Sequence, residues 1–103
     1  MNLSYILLSE ALEMAFRGKM DNLVNADDFN QIIESYPTII HGTKDLISTN
    51  MRQAVNQKCV YFRDIKNLVL LKFCKENNLN ASSLMYESVL AIEVRFKRNK
   101  VVK

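Results

Sequence analysis

Glycine and proline are nearly missing, with two Gly and one Pro in 103 residues. Sheet-rich folds need both at their many tight turns, so the scarcity favours helices joined by short polar loops. Long apolar runs are missing too. No stretch approaches the roughly 18 unbroken apolar residues of a membrane span. Residues 1–16 lack a basic start and are interrupted by Glu10 and Glu13, which is unlike a secretory leader. A cytoplasmic location is therefore expected, with no membrane contact. Histidine is confined to His41 and cysteine to Cys59 and Cys74. That thiol spacing matches no zinc motif, and one His cannot complete a metal site. No metal or other cofactor is expected, and both thiols read as small buried hydrophobes in a reducing compartment. A catalytic set is also missing: there is no Gly-rich phosphate loop and no Ser-His-Asp or Cys-His grouping. Asp27 and Asp28 are adjacent, so on a helix they point about 100° apart and cannot flank one substrate. They suit a helix start instead. Neither an enzyme nor a small-molecule substrate is expected.

What is present is apolar surface and lopsided charge. Apolar residues make up 49% of the chain, enough for one globular domain over residues 1–103. Residues 1–50 hold three basic and seven acidic side chains, whereas residues 51–103 hold eleven basic and four acidic. A basic half beside an acidic one points to a polyanion partner, most often nucleic acid. It divides the chain into a dimerisation or partner half, 1–57, and a basic half, 58–103.

The periodicity predicts an all-α fold of about five helices. Asn2 caps the first, in which Tyr5, Leu8, Leu12, Ala15 and Phe16 form one stripe. Leu3, Ile6, Leu7, Ala11 and Met14 form a second stripe beside it. So wide an apolar surface exceeds what one small domain usually covers and predicts contact with a second subunit. Asn25 caps a second helix, with Phe29, Ile32, Ile33 and Tyr36 inward and Pro37 as its stop. Thr43 begins a third, with Ile47, Met51, Ala54 and Val55 inward, ending near Gln57. His41 lies in the linker between them. Cys59 to Phe62 are strand formers, which leaves room for one short strand near residues 58–63. Asp64 then reads as a cap, followed by a helix from Ile65 to Glu76 that is apolar on most sides. Asn77, Asn78 and Asn80 make a turn, and a last helix runs from about Ala81 to Arg98, with Met85, Val89, Ile92 and Phe96 inward.

Lys and Arg in the last helical turn offset the helix dipole. That accounts for part of the basic cluster; the remainder fits phosphate contact. The side chains expected to meet DNA are Arg63, Lys66, Arg95, Lys97, Arg98 and Lys100. Arg63 is the one placed to reach a base edge, and the rest would position the protein on the backbone. One architecture with this layout is a ribbon-helix-helix repressor built from residues 58–98. There Cys59, Tyr61 and Arg63 would face bases and Val60 and Phe62 the core. A third reading is a protein-binding adaptor or anti-activator that never touches DNA.

A resemblance bears on the choice. "NLSYILLSE" (Asn2 to Glu10) resembles the start of the flagellar transcriptional activator FlhD family, whose first helix typically reads NLSYLLLAQ. "NADDFNQIIESY" (Asn25 to Tyr36) is similar to the family's INEEMATTLAAL segment, and "CVYFRD" (Cys59 to Asp64) to its CHFRFD. Near the end, "ESVLAIE" (Glu87 to Glu93) sits where the family has HTGIMLS. A short insertion falls around Pro37 to Thr43, Val60 stands at the family's histidine, and "NLVN" replaces its FRLG, so the chain looks like a diverged relative. The resemblance implies a helical homodimer with Tyr5, Leu8, Leu12 and Phe16 at the dimer interface. It implies packing of the Ile65–Glu76 helix between subunits and an interchain disulfide at Cys59. It also implies a second protein, like FlhC, with which promoter DNA is bound.

Overall fold

The computed structural model describes residues 2–35 and 45–101 and is predominantly helical. Five helices lie within those ranges: α1 (Leu3–Ala15), α2 (Ala26–Ser35), α3 (Asp45–Asn56), α4 (Phe62–Glu76) and α5 (Ser83–Val101). The expected roles of Tyr36, Pro37, His41 and Thr43 lie outside the described residues.

Side-chain oxygens start three of the helices. Asn2 Oδ1 accepts the Tyr5 N–H at 2.9 Å, and Asn25 Oδ1 accepts the Asp28 N–H at 2.8 Å. Each satisfies one of the donors that a helix start leaves unpaired. Ser82 Oγ does the same for Met85 at 3.4 Å, so α5 begins at Ser83 and not near Ala81. The start of α4 also differs from expectation. Asp64 is not its cap but its third residue, and its Oδ2 reaches back to the Tyr61 N–H at 2.7 Å. That is the acidic half of a capping box, and it lets the helix begin at Phe62.

With so few glycines, the chain closes two helices by other means. Lys58 and Asn78 take left-handed φ values of 58° and 55°. After α3, the Cys59 N–H bonds to Ala54 O at 3.0 Å and the Lys58 N–H to Val55 O at 3.0 Å. After α4, the Leu79 N–H bonds to Cys74 O at 2.8 Å. The first is a Schellman closure and the second shares its longer bond; both are usually built on Gly. Among the described residues, a left-handed glycine, Gly18 at φ 77°, follows only α1.

The expected short strand does not form: among the described residues there is only an isolated antiparallel bridge between Leu23 and Tyr61. It is flanked by Val24 N–H to Val60 O at 2.8 Å and Phe62 N–H to Asn22 O at 3.1 Å. The ribbon pattern fails with it. Cys59 and Val60 are both buried, where alternation would turn one outward, and Phe62 and Arg63 are already helical. The edge that a ribbon would offer to a second copy is occupied by the chain's own residues 22–24.

The helices pack in the spatial order α1, α4, α5, α3, α2. Thus α4, apolar on most sides, is enclosed within one protomer by α1 and α5, which corrects its expected place between subunits. Ile65, Val69, Leu70, Leu71 and Cys74 of α4 join Leu12 of α1, Phe16 just after it, and Met85 and Ile92 of α5 in one core. The stripe of α1 assigned to a dimer interface faces this core: Leu12 is 0% exposed, Phe16 is buried, and Tyr5 and Leu8 are packed against them. Tyr5 also meets the Phe73 ring at 6.3 Å, and Phe16 meets Phe62 at 5.2 Å. The second stripe faces outward, with Leu3 68%, Leu7 57% and Met14 69% exposed. No helix among the described residues is long and apolar enough to cross a membrane.

Leu12→Ala opens a cavity in the core and is expected to lower stability by about 2–5 kcal/mol. Leu7→Ala, on the opposite face, leaves no core cavity and should cost less than Leu12→Ala. Urea unfolding of both variants, followed by circular dichroism, compares the two.

Candidate functional site

The structure separates the six expected phosphate ligands into different roles. Arg95 is an internal clamp. Its Nε donates to Cys59 O at 2.9 Å, its Nη2 donates to Asp64 Oδ2 at 2.5 Å, and its guanidinium lies 5.2 Å over the Tyr61 ring. One side chain of α5 thereby holds the turn before α4 and the first turn of α4. With its donors so engaged, Arg95 is a poor DNA ligand. Arg63 donates to Asp21 at 2.6 Å, and Lys66 to Glu13 at 2.6 Å. The Arg63 pair is open to solvent on both sides, and such pairs are worth about 0–1 kcal/mol, so phosphate could displace it. Lys97 and Arg98 are exposed and belong to none of the ion pairs among the described residues. Lys100 lies in α5, and its side chain is outside the described residues.

Burial sets the electrostatics of the clamp. It pushes the Asp64 carboxyl above its ordinary value, while the Tyr61 amide and the Arg95 and Arg63 guanidinium groups pull the other way. Burial likewise raises the Cys74 thiol. It also raises Tyr5, which borders a small cavity of about 210 Å³ with Cys74, Asn2 and Asn80. Lys66 holds Glu13 below the usual carboxylate range, first by its hydrogen bond and then by its charge.

Cys59 is 2% exposed. Its thiol approaches Gln57 O at 3.4 Å and Arg95 O at 3.6 Å. A disulfide to another copy would require the α5 contact to open first, so the expected interchain link has no accessible sulfur in this protomer.

Tyr86, Leu90 and Val94 of α5 are also exposed, and two further surfaces stand as candidate sites. One is the outward stripe of α1, which the sequence showed but which was not the stripe assigned to an interface. Glu10 lies on that side of the helix and was the available signal, because a carboxylate is costly inside a core. The second is the exposed basic end formed by Lys97 and Arg98. An apolar cavity of about 270 Å³ lies beside it between α3 and α5, with Met51, Ala54, Ile92 and Phe96 in its wall and Glu93 and Lys97 at its edge. Comparison with family models, with curated proteins and with solved structures finds no match for the chain.

Arg95→Met leaves a buried carboxylate without its counter-charge and is expected to cost about 2–4 kcal/mol. Differential scanning calorimetry measures the loss. The raised Asp64 value also has a sign. The folded chain holds that proton more tightly than the unfolded chain. The stability it contributes is complete below the unfolded carboxylate value of about 3.9. It is then lost as pH rises through the folded value. Urea midpoints of the unmodified protein minus those of Asp64→Asn should therefore fall as pH rises across that window.

Proposed function

We propose that this chain is a helical, FlhD-like regulator of transcription that works as a homodimer and, with a partner protein, on DNA. The observation that carries the reading is the uncovered stripe of α1. Leu3, Leu7 and Met14 lie on one side of a helix whose opposite side packs against the core through Leu12, with Tyr5 and Leu8 partly buried. A two-sided apolar helix at the margin of a small domain is what assembly requires and what a solitary soluble domain avoids. The basic excess of the second half supports contact with a polyanion, and Lys97 and Arg98 are exposed to make it.

A protein-binding adaptor without DNA contact is the second reading. It is favoured by the engagement of Arg63, Lys66 and Arg95 with carboxylates of the same chain. In both readings the outer face of α1 assembles, and only the first needs the basic end.

Sedimentation equilibrium of the purified chain tests the assembly. A dimer is expected at micromolar concentration. Leu7→Glu and Met14→Glu should each shift it to monomer by at least tenfold in dissociation constant, about 1.4 kcal/mol, with helix content unchanged. A monomeric unmodified chain, or variants that dimerise equally well, would overturn the reading.

A further inference from the structure

The ion pairs do more than tie elements together, because they decide which part of the basic half keeps uncompensated charge. Arg63, Lys66, Lys72 and Arg95 each have a carboxylate of the same chain within 4.0 Å. Arg52 lies 5.7 Å over the Phe29 ring and donates to Asn30. Lys58, Lys75, Lys97 and Arg98 are exposed and carry no such partner among the described residues. Lys75 closes the far end of α4. The other three belong to one region.

The Arg95 clamp creates that region. Its two bonds to Cys59, Nε to the carbonyl and thiol to the Arg95 carbonyl, seat the turn after α3 on the C-terminal part of α5. Lys58 is the residue before Cys59. Arg98 is three residues beyond Arg95, about 4.5 Å further along the same side of α5. Lys97 is its neighbour toward α3. Backbone segments some forty positions apart in sequence, one starting at Lys58 and the other ending at Arg98, are thus brought together.

The backbone at Lys58 is the second observation. Its φ of 58° is left-handed, at a helix closure where Gly or Asn is the usual occupant. A lysine there is held against local preference, while Asn78 fills the equivalent place after α4 without that conflict. Residues kept in such conformations gather where a side chain is used. Lys58 offers an extended ammonium that glycine could not.

We infer that Lys58 and Arg98, with Lys97 at their edge, form a phosphate-binding surface that grips the backbone of duplex DNA. The inference rests on the DNA reading proposed above and replaces Arg63, Lys66 and Arg95 as its principal contacts. It is a surface of charge without base-reading geometry, so its binding is sequence-tolerant and steeply salt-dependent.

The test uses the full chain and a labelled duplex of mixed sequence, followed by fluorescence anisotropy between about 50 and about 200 mM salt. The variants are Lys58→Gly, Arg98→Ala and their combination, with Arg63→Ala and Lys66→Ala as comparison. Lys58→Gly suits the left-handed backbone, so its urea midpoint should not fall and lost binding cannot be blamed on lost folding. The double variant should flatten the log–log salt slope by about two, near 0.9 per lost phosphate contact. The comparison variants should change it by less. If the unmodified chain binds with a steep slope that the double variant keeps, this surface is wrong and the DNA reading stands. If the unmodified chain shows no binding at the lowest salt, the inference falls, and the partner-dependent DNA reading is judged separately by the assembly test above.

Discussion

Enclosure of α4 is the constraint on which the rest of the structure depends. Its buried residues, from Phe62 through Leu71 to Cys74, are distributed around the helix and not along one stripe. A helix of that kind must be covered from several directions. Here α1 and α5 provide the cover, and the segment 20–24 runs along its start. The two sequence halves consequently interleave, with the first helix of the acidic half lying against the central helix of the basic half.

Polar groups at the edge of that enclosure are paired inward. Asp64 is the one buried charged residue of the described core, and it meets both a backbone amide and Arg95. Among the described residues no buried side-chain nitrogen or oxygen lacks a partner. Asn67 and Ser88 join α4 to α5 through a side-chain bond of 2.8 Å in the same interface. Such pairing favours one packing of α5 over alternatives, because sliding the helix would strand several polar atoms together.

Much of this was legible from residue order. Helix number and the caps at Asn2 and Asn25 depend on local chemistry, and so does the turn at Asn77 and Asn78. Local chemistry is visible in a single sequence. The apolar surround of α4 was legible too, but what covers it was not, since a helix in a protomer core and one in a subunit interface have the same pattern. The same degeneracy holds for α1. Both of its stripes have helical spacing, and only the neighbour that each meets makes one internal. The internal bonds of Arg95 were hidden for a different reason. A basic residue in a basic cluster reads as surface until its carboxylate, 31 positions away, is found. Ion pairing of this range leaves no periodic trace.

The position of α1 has a consequence for when its outer face takes shape. Among the described helices α1 touches only α4, and its Glu13–Lys66 pair spans 53 residues. An isolated helix of 13 residues is marginal in water. The alignment of Leu3, Leu7 and Met14 is therefore held only after α4 exists and the long intervening loop has closed. Nascent or half-folded chains lack that aligned ridge, so α1 offers it as a surface only after the protomer has completed its own interior.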